Sequence, residues 1–226
     1  MSTWAVIVAA GRGDRLASEI PKAFARLGGR PLLAESLERL DASDWVDAIV
    51  VTVPEGWEEP TILLAEELGA GKVAQAVPGG ASRAESVQLG VAEVPDDAVA
   101  VLVHDAARPL LPEAVVGRVL EALGEGWDGA VPAIQLADTI KRVGEDGVAE
   151  TLPRDDLVAV QTPQAFAADV LRQALVGDIE AASDCASLVE ARGGRIKVVE
   201  GDPLLLKVTT PHDLTIVEAL LESDRT

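Results

Sequence analysis

Along the chain, apolar runs of strand length alternate with stretches in which apolar positions recur at three and four. Residues 4–10, 48–53, 72–77 and 99–104 are near-continuous apolar runs, the pattern of strands buried on both faces of a parallel sheet. Between them, 32–40, 61–68 and 83–91 carry the spacing of amphipathic helices. Strand, helix, strand in this order predicts right-handed crossovers. The fold class expected is α/β: a Rossmann-like, doubly wound, mostly parallel sheet with helices on both faces. A further helix is expected after Pro112, because proline suits the first helical turn.

The pattern changes after Asp128. Residues 130–136 form another apolar run, but 138–154 alternate poorly and are punctuated by Gly144-Glu145-Asp146-Gly147. An Asp-Gly step between 139–143 and 148–152 signals a hairpin. Neither flank carries enough apolar residues to join the core, so a projecting β-arm over about 137–156 is expected, packed on another subunit. Helices near 166–175 and 183–192, a strand at 195–199, a short strand around 204–208 and a closing helix at 211–221 complete the reading. No repeat and no linker interrupt it. One domain with an arm is therefore expected over residues 1–226.

Charge narrows the partners. With 19 Lys+Arg against 38 Asp+Glu the net charge is −19, which argues against nucleic acid and anionic membranes as partners. A small anionic ligand stays open if the few cations gather at one place. Cys185 is the single cysteine, so an intrachain disulfide and a cysteine-based zinc site are excluded, in keeping with a reducing compartment. The apolar start of the chain has no basic flank and is interrupted at Gly11, so no leader is expected and the location expected is cytoplasmic.

The strongest local signal follows the first strand: Ala9-Ala10-Gly11-Arg12-Gly13-Asp14-Arg15, then Pro21-Lys22. Ligands of doubly wound sheets bind at the carboxyl ends of the strands. Gly11 and Gly13 let backbone approach an anion and offer N–H groups to it, while Arg15 and Lys22 add two cations. Other readings compete. A dinucleotide fingerprint needs a third glycine where Leu16 stands. A Walker A loop is absent, since Gly71-Lys72 is followed by Val73 and Glu66 occupies the first glycine position. A lone G-x-G would be read as a plain solvated loop. The added Pro21-Lys22 turns the balance toward a phosphate site.

With Gly79-Gly80-Ala81-Ser82-Arg83-Ala84-Glu85-Ser86, Val103-His104-Asp105-Ala106-Ala107-Arg108-Pro109, Asp138-Thr139, Arg154, Gln161-Thr162-Pro163-Gln164, Ser183-Asp184 and Lys207-Val208-Thr209 in order, nearly the whole chain resembles one family. It is that of the 2-C-methyl-D-erythritol 4-phosphate cytidylyltransferases of non-mevalonate isoprenoid synthesis, nucleotidyltransferases with a glycosyltransferase-A-like fold. The resemblance implies attack of a phosphate-monoester oxygen on the α-phosphorus of CTP, expelling pyrophosphate. It assigns Arg15, Lys22 and Lys207 to the triphosphate and transition state, and Ala9, Ala10, Gly11, Gly13, Gly80, Arg83, Ser86, Asp105 and Ala106 to CTP. For the acceptor it points to Asp105, Arg108, Thr139, Arg154 and Ser183, with Lys141 or Arg142 assisting, and it implies a homodimer whose arm reaches the partner's site. Magnesium is expected, bound chiefly by triphosphate and water, with Asp105 as a further candidate.

Such chemistry is positioning and electrostatics rather than covalent catalysis. Arg15 can fork over phosphate oxygens, while lysines act as point charges. Placing Lys22 and Lys207 at strand-end loops is informative in a chain with five lysines. Bland readings stand beside these. Asp105 could cap a helix or brace Arg108, the arm charges could form a solvated face, and His104 and His212 read as structural. Two departures from the family pattern stand out: Ala81 replaces a common acid, and Cys185 replaces another. A cytidylyltransferase for another polyol phosphate, such as ribitol 5-phosphate, is the nearest alternative. A non-catalytic nucleotide-binding module is the alternative of a different class.

Overall fold

The computed structural model describes residues 2–11, 13, 20–180 and 182–224. Strand β1 (Ser2–Val8) is followed by a 3-10 turn (Lys22–Phe24), a short hairpin of β2 (Arg26–Leu27) and β3 (Arg30–Pro31), and helix α1 (Leu32–Asp41). Three strand–helix units follow: β4 (Ala48–Val53) and α2 (Glu58–Leu68), β5 (Val73–Pro78) and α3 (Arg83–Ala92), β6 (Ala98–Asp105) and α4 (Glu113–Gly124). The second half holds β7 (Gly129–Gln135), β8 (Ile140–Gly144), β9 (Gly147–Leu152), β10 (Val158–Val160) and β11 (Gln164–Ala167). It continues with α5 (Ala168–Ala174), α6 (Cys185–Glu190), β12 (Ile196–Glu200), a 3-10 turn (Pro203–Leu205) and α7 (Pro211–Asp224).

The sheet runs β10-β7-β11-β6-β1-β4-β5, with β12 also paired to β7. β6, β1, β4 and β5 are parallel neighbours, as the apolar runs predict, but β5 lies at the sheet edge with its residues half-buried or exposed and not buried on both faces. Period-two alternation divides their side chains between two cores. Ala5 and Ile7 of β1 and Leu102 of β6 join Leu33, Leu37, Val115 and Val119 of α1 and α4. Val6, Val101 and Val103 face the other way, onto Val87, Leu171 and Val189 of α3, α5 and α6. Helices thus cover both faces, as expected. A third cluster seats Val217 and Leu221 of α7 on Leu27, Leu32, Leu110 and Val208.

Other elements also differ from the sequence pattern. Residues 166–167 belong to strand β11, not to the helix, which begins at Ala168. Strand β10 pairs antiparallel with β7, and β11 with β7 and β6, and no sequence pattern announces either. Both are too short for a periodic signal, and Gln164, Ala165 and Phe166 are all buried, so no alternation marks them. Finally, 204–208 is not a strand. Asp202 caps a 3-10 turn with Pro203 in its first positions, which sends Leu205 into the core instead. The predicted hairpin does form: β8 and β9 make a separate two-stranded sheet whose turn closes at Gly144↔Gly147.

Candidate active site

The parallel strands end in register. Val8 lies opposite Thr52 and Asp105, and Val53 opposite Pro78. Backbone hydrogen bonds carry that register one step into the loops: Ala9 N–H donates to Thr52 O, Ala106 N–H to Val8 O and Gly79 N–H to Val53 O. Three loops therefore leave the same sheet edge side by side, where doubly wound folds bind ligands. Between them lies a cavity of about 660 Å³. Its described lining includes Ala9, Ala10, Gly11, Gly13, Lys22, Gly80, Arg83, Ser86, Asp105, Ala106 and Lys207. That volume is ample for a nucleotide.

The turn before α3 is locked from both directions. A Cβ on Gly79 would stand 2.2 Å from that of Ala10, so the first and third loops touch only because position 79 is glycine. Ser86 Oγ accepts from Gly80 N–H at 3.1 Å and donates to Ser82 O at 2.9 Å. Ser82 caps α3 by accepting from Glu85 N–H, and Glu85 folds back onto Ala81 N–H at 2.6 Å. Ser86 therefore shapes the turn through backbone contacts. The Ser82-x-x-Glu85 spacing was readable as a capping box, with its return bond shifted by one residue.

Asp105 is the electrostatic centre. Arg83 Nε lies 2.9 Å from Oδ1 and Lys207 Nζ 2.6 Å from Oδ2. Burial opposes the carboxylate charge, but the two cations outweigh it and hold the carboxyl well below its usual range. It stays ionised, and with both oxygens paired to cations it is a weak base. Asp105 N–H donates to Thr162 Oγ1 at 3.0 Å, so the hydroxyl proton is free to donate to His104 Nδ1, 3.2 Å away. That fixes the tautomer: Nε2–H faces Arg108 O at 3.1 Å. Burial brings the His104 pKa down from 6.5 to about 4, so the imidazole is neutral. His104 is structural, as expected.

Arg83 also donates to the Cys185 sulfur at 3.8 Å. Burial pushes that thiol up to about 11, which removes it as a nucleophile at neutral pH. Asp105 is braced by Arg83 and Lys207 and not by Arg108.

The remaining candidates divide. Arg108 stands outside the described lining; its Nη1 donates to Leu205 O at 2.5 Å and its Nη2 to Val160 O at 3.4 Å. Thr139 and Arg154 are exposed at the base of the hairpin, where Arg154 donates to Ala137 O. Ser183 is exposed before α6, and its neighbour Asp184 caps that helix. Arg15 lies outside the described residues. Ser82, Ala107 and Thr209 line the cavity without having been singled out as contacts.

Three described lining side chains are cationic (Lys22, Arg83, Lys207) and Asp105 alone is anionic, so a chain of net charge −19 keeps a positive hollow. The field there favours a polyanion. Among the described residues no group of three or more His, Cys, Asp or Glu could hold a metal ion, and both Asp105 oxygens face cations. A magnesium ion carried by phosphates and water fits this wall; a protein-caged ion does not.

The sequence profile described as 2-C-methyl-D-erythritol 4-phosphate cytidylyltransferase matches residues 3–223. The chain is 46% identical over 222 residues to the protein of that name from Nocardia farcinica, covering 98% of this chain and 94% of the relative. It is 45% identical over 225 residues to that of Saccharopolyspora erythraea, covering 98% and 100%. Among solved structures, the 2-C-methyl-D-erythritol 4-phosphate cytidylyltransferase of Thermus thermophilus superposes with a TM-score of 0.78 at 34% identity, covering 96% of this chain and 98% of that one. The 4-diphosphocytidyl-2C-methyl-D-erythritol synthase of Anaerococcus prevotii gives 0.84 at 26% identity, covering 98% of each. Nearly full-length matches in sequence and in fold lead to one conclusion: the chain belongs to the 2-C-methyl-D-erythritol 4-phosphate cytidylyltransferase family.

Proposed function

We propose that the protein joins CTP to 2-C-methyl-D-erythritol 4-phosphate, giving 4-diphosphocytidyl-2-C-methyl-D-erythritol and pyrophosphate for isoprenoid precursor synthesis. The observation that carries this reading is the cationic hollow at the strand ends, lined by Gly11, Gly13 and Gly80. A phosphate oxygen of the acceptor attacks the α-phosphorus, a new P–O bond forms, and the bond to the bridging oxygen breaks with its electron pair leaving on pyrophosphate. The attacking oxygen is already ionised at neutral pH, so no general base is required. Arg15, Lys22 and Lys207 stabilise charge on the phosphoryl oxygens. The backbone of Ala9, Ala10, Gly11, Gly13, Gly80 and Ala106, with Ser86 behind the turn, receives the nucleotide. Arg83 holds Asp105 in place at the ribose side. Magnesium, when bound, would neutralise triphosphate charge and would be held chiefly by phosphates and water.

The acceptor is received by Asp105, Arg108 and Ser183 together with Thr139 and Arg154 of a neighbouring subunit, in a cytoplasmic homodimer of single-domain chains joined through the arm at about 137–156. No described helix is long and apolar enough to cross a membrane. The deciding experiment measures pyrophosphate release from CTP with a panel of polyol phosphates. Release is expected with the methylerythritol phosphate. Preference for ribitol 5-phosphate would move the acceptor assignment, and no release with any polyol would reduce the protein to a nucleotide-binding module.

A further inference from the structure

Lys207 follows a 3-10 turn and has no strand or helix of its own to hold it. Its placement depends on what fastens the segment from Gly201 to Val208. At the far end Val208 N–H donates to Ala107 O at 2.8 Å, and Arg108 fastens Leu205 O. At the near end the fastener is a side chain from another part of the chain. Gln161 sits in the connection between β10 and β11, and only 3% of it is exposed. Its Nε2 donates to Asp202 O at 2.8 Å, and its Oε1 accepts from Asp202 N–H at 3.0 Å. Both ends of the amide thus grip one peptide residue, and only one orientation of the amide satisfies both.

The grip is also sterically tight. A Cβ on Gly201 would stand 2.3 Å from Gln161 Oε1 and 2.9 Å from Ala133 O. Asp202, the gripped residue, is the one that starts the turn: its side chain accepts from Leu204 N–H, and its carbonyl accepts from Leu205 N–H as well as from Gln161. Gln161 is itself anchored, donating N–H to Pro132 O on β7 at 2.7 Å. A rigid line therefore runs from the sheet through Gln161 to the turn and on to Lys207, whose Nζ meets Asp105.

We infer that Gln161 is a positioning residue for the proposed cytidylyl transfer: its amide clamps the Asp202 peptide and so sets where Lys207 presents its charge in the cavity. The inference rests on the role proposed for Lys207. Reaction rates of this kind are sensitive to placement, with a shift of about 1 Å costing as much as ~10²-fold. An amide buried merely for stability would not act through one particular lysine.

The test is a double-mutant cycle of Gln161→Met and Lys207→Ala, read as kcat and as CTP affinity by calorimetry, with thermal unfolding as the control. Gln161→Met alone should lower kcat at least about tenfold while the KM for the acceptor changes less than about twofold. In the Lys207→Ala background the same change should cost less than about twofold, because the group it positions is gone. Gln161→Glu gives a second cycle should Gln161→Met fold poorly: it keeps an acceptor for Asp202 N–H but sets a second acceptor against Asp202 O, so a loss of at least about tenfold with the same coupling is expected. Independent, multiplicative losses in the cycle, or wild-type kcat in a folded Gln161→Met protein, overturn the inference. Near-normal activity of Lys207→Ala overturns instead the role proposed for Lys207, so the two failures are told apart.

Discussion

Lys22 and Lys207 come from opposite ends of the sequence and line one cavity, while Arg15 precedes Lys22 by a few residues on the glycine loop. If these cations stabilise the α-phosphoryl oxygens, Lys22→Ala and Arg15→Ala should each lower kcat about 10²–10³-fold with little change in acceptor KM. Steady-state kinetics of folded variants decides this, and near-normal turnover removes the residue from the catalytic set. Cys185→Ser should retain most activity, since the thiol is buried, pushed up to about 11, and serves as a contact for Arg83 that a hydroxyl can replace. Loss of activity in a folded Cys185→Ser protein would reopen covalent mechanisms.

His104 makes a prediction about stability. Its pKa is lowered from 6.5 to about 4, so the folded state resists a proton that the unfolded chain accepts. The stability it contributes is complete above pH 6.5 and is lost as pH falls toward 4. At about 1.4 kcal/mol per pKa unit the loss is on the order of 3 kcal/mol. Urea unfolding at pH 7 and pH 4.5 should show a smaller drop for His104→Gln than for the parent, and equal drops would sink the assignment. Residues whose chemistry is local, such as Lys22 beside Gly13, were legible in the sequence. Gln161 and Thr162 were seen only as part of a motif. Their partners Asp202 and His104 lie far away in sequence, and side-chain-to-backbone contacts leave no periodic trace.

At the scale of elements, the strand–helix units of the first half were legible because long apolar runs and three-and-four spacing each repeat several times. The second half obeys shorter rules. β10 and β11 hold three and four residues, and the 204–208 apolar run is bent by Asp202-Pro203 into a 3-10 turn. The turn before α3 lies between these cases: its glycines and capping serine were visible, but not that Ser86 works inward on the backbone. Ser86→Ala would remove the acceptor of the half-buried Gly80 N–H, a cost of about 1 kcal/mol, whereas Ser82 O keeps the Ser86 N–H at 3.0 Å. Weaker CTP binding with a nearly unchanged acceptor KM is the expected result, measured by calorimetry. Unchanged CTP affinity would mean that this turn does not receive the nucleotide.

The whole molecule poses the question of what the β8–β9 hairpin is for. It forms its own two-stranded sheet, and its cross-strand partners Val143 and Val148 are 75% and 64% exposed, an apolar pair held out in solvent. Thr139 and Arg154 stand at its base, outside the described lining of the cavity of their own chain. A shared acceptor site in a two-fold dimer would give both features a purpose, and subunit mixing tests it. Lys22→Ala and Arg154→Ala proteins should each be nearly inactive alone. If Arg154 acts across the interface, each mixed dimer contains one intact site, built from Lys22 of the second subunit and Arg154 of the first. Random exchange makes about half of the dimers mixed, so about a quarter of all sites should recover activity. If Arg154 serves its own subunit, both kinds of site in the mixed dimer stay damaged and nothing returns. Exchange verified by mass spectrometry without regained activity would therefore rule out the shared site, and a monomer in solution would rule it out sooner.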